Sequence, residues 1–383
     1  MAHHKLGGED AAWLHMEDAT NPMVVNGLLE LAAPLATAQV IGLLAEHVAP
    51  IPRFRSRVVE PRGGVGTTRW ELDPDFDLDR HVVHVELGDD AGEDELRAFL
   101  GRTVSTLLDR DRPLWKVFVI DRPGAGSTLL YRVHHAIADG FALLGILLSL
   151  CDAAPKTPDP PAPRATARRA PRAFDHALAL ARVTTLPADP RTALKGLLTT
   201  EKRVAWCEPM ALGEIKAIAH VRGATVNDVL VAVVTGALRR YLLRAGGSGS
   251  AVEVRAMVPV NLRSPGEALT LDNRFGLVVL ALPLGVADPG ARLDEVKRRM
   301  DRLKASPEAL VTHGILRVMG HVPRRVEDFG VRFFGKKASL VLTNVAGPRE
   351  PLKIGGVPIS RLMFWVPQSG RMGLGISIFS YGG

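Results

Sequence analysis

Residues 153–172, AAPKTPDPPAPRATARRAPR, hold six prolines, five basic residues and no large apolar side chain. Such a stretch cannot continue a helix, because proline removes a backbone donor, and it has nothing apolar with which to offset the entropy of being ordered. It reads as an extended, solvated linker. The chain then divides into an N-terminal domain over 1–152, a linker over 153–175 and a C-terminal domain over 176–383, each part long enough for its own core. A surface loop inside one domain is the alternative, and the length of the segment weighs against it.

Both parts alternate element types. In the first, Thr37 to Ala49 carries apolar residues at helical spacing behind a threonine that could cap it. Glu93 to Asp109 repeats the pattern with Leu96, Phe99, Leu100 and Val104 on one face. Trp115–Ile120 and Ser127–Val133 read as strands, and Phe141 to Leu150 as an apolar helix. In the second part a long helix is expected from Asn227 to Arg244, with Asn227 as its cap and Gly246 just beyond its end. Ala251–Val260 reads as a strand and Leu277–Leu284 as a fully buried one. Arg292–Lys304 reads as an amphipathic helix with Leu293, Val296, Met300 and Leu303 inward and a solvated basic face outward. Strands are expected at 338–345, 358–366 and 372–380. The class is α/β, a mixed sheet with flanking helices in each of two domains.

Charge and cysteine content exclude several functions. Forty-eight basic residues against forty-one acidic give +7, which suits anionic cofactors or an anionic membrane surface and falls short of a nucleic-acid binder. Cys151 and Cys207 stand far apart without metal-ligand spacing. His81, His84, His220, His313 and His321 form no partner motif, so no metal is expected. The opening residues lack a basic-then-apolar signal, and no apolar run reaches the length of a membrane span, so a cytoplasmic protein is expected.

His134-His135-Ala-Ile-Ala-Asp139-Gly140 carries the chemistry. A strand delivers two histidines to its end; an aspartate four residues past the second can fold back or pair with a cation, and the glycine leaves room for a substrate chain. A neutral imidazole is well matched to taking a hydroxyl proton near pH 7. A structural histidine pair at a strand end is the competing reading. No G-x-S-x-G elbow, P-loop or Rossmann glycine string competes as a mechanism.

The full HHxxxDG string is the signature of the CoA-dependent acyltransferase superfamily, and further segments narrow the resemblance. Pro113-Leu114-Trp115 resembles the PLW motif, and Asn227-Asp228 the ND motif, of the bacterial wax ester synthase/diacylglycerol acyltransferase family. DAAWLHMEDATNPM at the start, MVPVNLR (257–263), DNRFG (272–276), TNVAGP (343–348) and GLGISIFSYGG (373–383) resemble its other landmarks. The absence of a DFGWG-type string argues against the acetyltransferase and plant alcohol-acyltransferase branches. Family members continue beyond this last landmark, so the resemblance implies a C-terminal domain without the usual terminal segment.

The resemblance implies a chloramphenicol-acetyltransferase-like fold with an active-site tunnel between the domains. It implies acyl transfer from fatty acyl-CoA to diacylglycerol or a long-chain alcohol, with no permanently bound cofactor and no metal. His135 would be the general base, His134 its positioner, and Asp139 a loop anchor with an arginine partner that the sequence does not identify. Glu17, Pro113, Leu114, Trp115, Asn227, Asp228, Asn273 and Asn344 are candidates near the site. For the PLW and ND residues a packing or capping role outweighs substrate contact. CoA phosphates need cations, and Arg53, Arg55, Arg57, Arg324, Arg325, Lys336 and Lys337 are candidates. Peripheral attachment to the inner membrane or lipid inclusions is expected, and no nucleic-acid partner. Alternatives are a non-catalytic lipid- or inclusion-binding protein, or the same fold acting on another hydroxyl acceptor.

Overall fold

The computed structural model describes residues 4–61, 68–88, 92–122, 124–152, 173–246, 253–264, 270–322, 324–368 and 372–383. The proline-rich segment 153–172 lies outside the described residues. In chain order the N-terminal part forms β1 (His4–Lys5), α1 (Gly8–Met16), β2 (Val24–Leu31) and α2 (Thr37–His47). There follow β3 (Ser56–Val59), β4 (Arg69–Leu72), β5 (Val82–Glu86), α3 (Glu93–Val104), β6 (Trp115–Arg122), β7 (Gly126–His134) and α4 (Gly140–Ser149). The C-terminal part opens with α5 (Ala173–Thr185), α6 (Leu212–Val221), α7 (Val226–Arg244), β8 (Val254–Asn261) and β9 (Phe275–Leu282). It closes with α8 (Pro289–Ala305), α9 (Glu308–Met319), α10 (Arg324–Gly335), β10 (Leu340–Ala346), β11 (Lys353–Ile354), β12 (Val357–Trp365) and β13 (Leu374–Ser380).

Two mixed sheets organise these elements. The larger runs β11-β12-β2-β7-β6-β5, antiparallel except for the parallel β5–β6 edge. The smaller runs β13-β10-β8-β9, parallel except for β8–β9. A separate antiparallel sheet, β1-β4-β3, flanks them. Each large sheet has its own core. Leu29, Trp115, Val117 and Leu129 pack with Ile137 and Leu144 in the first; Val229, Ala232, Leu280, Val296 and Leu340 pack in the second.

Local chemistry explains the main boundaries. Alternation in β6 and β7 buries Val117, Val119 and Leu129. Leu293, Val296, Met300 and Leu303 are the buried face of α8, as their spacing predicts. Outside, Glu295 pairs with Arg298 and Arg299, and Lys297 with Asp301, so the expected basic face is neutralised locally. Gly246 closes α7 at φ +76°, a left-handed conformation that favours glycine.

Several expectations are corrected. Thr225, not Asn227, caps α7: its hydroxyl accepts from Asp228 N while Asp228 Oδ2 accepts from Thr225 N at 2.8 Å. Thr37 is the first residue of α2 rather than its cap. β9 is not buried on both faces; Gly276, Val278, Leu280 and Leu282 face the core and the alternate residues are half-buried. α5 begins at Ala173, inside the span assigned to the linker. The division into contiguous domains also fails at one point. β11 and β12 return to the first sheet, where β12 pairs antiparallel with β2 and Leu362 faces Leu29. A strand pattern names a buried face but no partner, and β2 offers an open edge that another strand must satisfy.

Helix α9 lies directly on β9. A Cβ on Gly276 would stand 1.8 Å from Ala309 O, and Thr312 Oγ1 both accepts from Leu277 N and donates to Leu277 O. Gly276→Val is therefore expected to lift α9 and destabilise the fold by ~1–3 kcal/mol or more, read as a lowered Tm. An unchanged Tm would contradict this packing.

Candidate active site

His134 and His135 stand where β7 ends, and the two neighbouring strands fix the turn that follows. His134 N donates to Leu114 O at 2.9 Å, and His135 N donates to Met23 O at 2.8 Å. His134 is fully buried. Its Nδ1 accepts from Ala136 N at 3.0 Å, which leaves the proton on Nε2, 3.4 Å from Glu17 Oε1. Glu17 also accepts from Met23 N at 3.1 Å and from Arg110 Nη2 at 3.2 Å. Burial alone would raise its carboxyl, but His134, the Met23 N–H and Arg110 together hold it below the usual carboxylate range.

The His135 ring stacks on Trp13 with centroids 4.3 Å apart, and Phe275 lies 5.6 Å away on a tilt. Only 7% of the residue is exposed, and Nδ1 has no geometric hydrogen-bond partner among the described residues. Burial, opposed by the charge of Asp139, pushes the imidazole down to about 4. At neutral pH it is an uncharged base. Asn273 Nδ2 donates to the His135 carbonyl at 2.8 Å and to Asp10 Oδ1 at 2.7 Å. Burial raises Asp10 to about 6, against the opposing charge of Arg53 at 3.2 Å. Arg53 also donates to the carbonyls of Ile137, at 2.9 Å, and Leu271.

Asp139 does two tasks at once. Oδ1 caps α4, accepting from Phe141 N at 3.1 Å and Ala142 N at 3.0 Å. Oδ2 accepts from Arg263 Nη1 and, at 3.2 Å, from Arg274 N. Arg263, at the end of MVPVNLR, is the partner that the sequence left unnamed. It also donates to the carbonyls of Thr270 and Asp272. At Gly140 a Cβ would meet nothing within 4 Å.

The other expected residues separate by role. Leu114 and Trp115 are buried packing residues; the Trp115 indole donates to Phe54 O at 2.7 Å and stacks on His81 at 4.4 Å. Pro113 is likewise buried at the start of this strand, its carbonyl accepting from Trp115 N at 2.8 Å. Asp228 is a capping group, with Lys304 Nζ 3.5 Å away. Asn344 Nδ2 donates to Asn227 Oδ1 at 2.8 Å, and both residues line a cleft of about 3190 Å³. Phe141 and Arg263 bring the histidine loop to the wall of that cleft. Gly140 and Trp115 instead line a small apolar cavity of about 100 Å³ on the other side of α4.

Most of the expected phosphate cations point elsewhere. Arg53 is bound into the site as above, Arg57 pairs with Glu71 at 3.1 Å, and Lys337 donates to the carbonyls of Thr184 and Leu186. The cations lining the cleft are Lys202, Arg203, Arg263, Lys297, Lys304 and Arg361. Among the described residues no group of three or more His, Cys, Asp or Glu side chains could hold a metal ion.

Residues 6–182 match the model of the wax ester synthase/diacylglycerol acyltransferase catalytic domain, and residues 271–383 match that of the WS/DGAT C-terminal domain. The chain belongs to this family. It is 27% identical to the probable diacylglycerol O-acyltransferase tgs1 of Mycobacterium tuberculosis (strain ATCC 25618 / H37Rv), over 97% of this chain and 87% of that protein. The solved wax ester synthase/diacylglycerol acyltransferase from Marinobacter aquaeolei VT8 superposes with a TM-score of 0.69 at 24% identity, covering 99% of this chain and 90% of that one. The first condensation domain of the CDA synthetase gives a TM-score of 0.63 at 18% identity, covering 100% and 88%. These structural likenesses bear on the fold alone.

Within this WS/DGAT chain, sequence reasoning missed Trp13, Asp10 and Arg110. Trp13 and Asp10 sit in the opening landmark, and their helical spacing on α1 is the one signal that could have set them on a face with Glu17.

Three outcomes are expected. The acidic limb of kcat/KM should stay level as pH falls through 6.5 and drop only towards about 4, because the base is already neutral. The same lowered pKa makes the histidine's contribution to stability complete above 6.5 and lost as pH falls towards about 4. Asp139→Ala, which strips buried Arg263 of the buried one of its two carboxylates (the other is Asp272 Oδ1 at 3.1 Å) and removes the cap of α4, should lower stability by about 3–5 kcal/mol. Thermal melts of parent and variant that coincide would refute that clamp.

Proposed function

We propose that this acyl-CoA-dependent O-acyltransferase uses His135 as general base to move a fatty acyl group onto diacylglycerol or a long-chain alcohol, giving triacylglycerol or wax ester. The observation that carries the reading is a neutral imidazole held at a strand end by contacts from both halves of the chain, through Met23, Asn273 and the Asp139–Arg263 pair.

His135 takes the hydroxyl proton as the alcohol oxygen attacks the thioester carbonyl. A new C–O bond forms and the carbonyl electrons move to oxygen. Collapse of that oxyanion breaks the C–S bond and expels CoA thiolate, to which the imidazolium returns the proton. A thiol loses its proton at a pKa of about 8.5, so the leaving group is good and no acyl-enzyme is required. His134 positions its neighbour, its own ring fixed by Ala136 and Glu17. Asp139 holds the loop and relays no proton.

A chloramphenicol-acetyltransferase-like arrangement with a tunnel between two lobes is supported by the large cleft, whose walls come from both halves of the chain. The N-terminal domain carrying the histidines ends near 152, and α5 opens the other. Lys202, Arg203, Lys297 and Lys304 are the cleft cations offered to CoA phosphates, Lys297 shared with Asp301 and Lys304 with Asp228, and Asn227 with Asn344 offers polar contacts in the same cleft. An apolar acceptor draws the protein to a lipid surface. Among the described residues no single helix is long and apolar enough to cross a membrane, so attachment would be peripheral.

Radiolabelled palmitoyl-CoA supplied with hexadecanol or diolein, with products separated by thin-layer chromatography, tests the reading. His135→Ala should lower turnover by about 10²–10⁴-fold while circular dichroism still reports the folded protein. Equal turnover in the two proteins would remove His135 from the chemistry.

A further inference from the structure

Helix α10 divides its two sides more sharply than any other described helix. The inner side is fastened. Glu327 is buried and meets His15 Nδ1 of α1 at 2.8 Å. Just past the helix, Lys337 donates to the carbonyls of Thr184 and Leu186 at the end of α5, at 2.8 and 2.6 Å. The outer side is bare. Phe329 and Phe333, one turn apart, stack at 6.1 Å, and Phe329 is 67% exposed with Val326 beside it at 55%. Arg325 and Arg332, with Lys336 beyond the helix end, share that side, four residues before and three and seven residues after Phe329, and are exposed. Among the described residues no carboxylate pairs with these three cations, although Asp328 stands exposed on the flank.

The basic helix α8 is the useful contrast. There Glu295, Glu253 and Asp301 pair with Arg298, Arg299 and Lys297, and the apolar residues point inward. On α10 the cations have no carboxylate partner among the described residues, and Phe329 faces water with the half-buried Phe333 stacked beside it. An exposed phenyl stripe bordered by unpaired Arg and Lys has the chemistry of a helix lying at the boundary between headgroups and acyl chains. A folded protein partner would need an acidic, apolar groove; an anionic lipid surface supplies both properties at once and is continuous.

We infer that the outer face of α10, with Val326, Phe329 and Phe333 ringed by Arg325, Arg332 and Lys336, seats this protein on an anionic lipid surface. The inference rests on the proposed acyl transfer in one respect, that an acceptor dissolved in lipid is reached from a lipid surface. Position agrees with that use. α9, which leads into α10, lines the large cleft at its other end through Ala309 and Leu310. α5, clasped to α10 by Lys337, exposes Phe174 and Leu178 as well. A protein seated through α10 therefore brings one rim of its cleft close to the lipid.

Flotation of the full chain with vesicles of phosphatidylcholine, with and without phosphatidylglycerol, tests this. The parent should float with phosphatidylglycerol vesicles and release as salt rises. Phe329→Ser with Phe333→Ser, and separately Arg325→Glu with Arg332→Glu, should each weaken partition at least about tenfold. Phe329→Leu and, on α8, Arg298→Glu should float like the parent. Esterification of a detergent-dispersed acceptor should be equal in all of them, which separates a lost surface from a lost fold. Serine and glutamate variants that float like the parent would overturn the inference, as would a parent that ignores anionic vesicles. A parent that floats as expected yet esterifies neither acceptor would leave the lipid surface standing and remove the acyl-transfer reading.

Discussion

The ion pair between Asp139 and Arg263 is the contact on which the site depends. Both side chains are buried, and they come from opposite parts of the chain, 124 residues apart. Two charges taken out of water are tolerable only when their remaining valences are met. Here the carboxylate is completed by the α4 N-terminus and Arg274 N, and the two Nη groups of the guanidinium by Asp139, Asp272 and carbonyls of the 270–272 turn. The geometry of the histidine turn is thus fixed by the second sheet as much as by the first.

Around this pair the polar contacts form one connected set. Asn273 ties the His135 carbonyl to Asp10, Asp10 meets Arg53, and Arg53 returns to Ile137 within the HHxxxDG loop. The His135 ring is left with an indole on one side, and burial favours its uncharged form. Burial does the electrostatic work, and the network prevents that burial from costing an orphaned backbone. The two histidines differ for the same reason: one is enclosed and hydrogen-bonded, the other stacked and kept neutral.

The sequence made the local parts legible. Periodicity identified α2, α3 and α8, each with one buried face, and apolar runs identified β6, β7 and β10. The HHxxxDG string marked the strand end where the polar contacts gather, and Asn273 donates to the His135 carbonyl directly. What stayed hidden was pairing. Nothing in 353–365 says that its strands belong to the first sheet, and nothing in a row of arginines says which one faces Asp139. The cations expected at phosphates illustrate the limit, because Arg53, Arg57 and Lys337 were all consumed by partners remote in sequence. Capping was misplaced by two residues at α7 because both Thr225 and Asn227 have the right chemistry, and only the reciprocal bond with Asp228 decides between them.

The return of β12 to the first sheet has a consequence for how the protein comes off the ribosome. Glu30 O accepts from Ser360 Oγ across 330 residues of chain, and β2 keeps an unpaired edge until that late segment emerges. Both cores can begin to collapse locally, but the sheet bearing the histidines is finished only after the chain through Trp365 has been synthesised. During that interval β2 is a template for any passing strand, so a nascent or truncated chain exposes a sticky edge that the finished enzyme does not have.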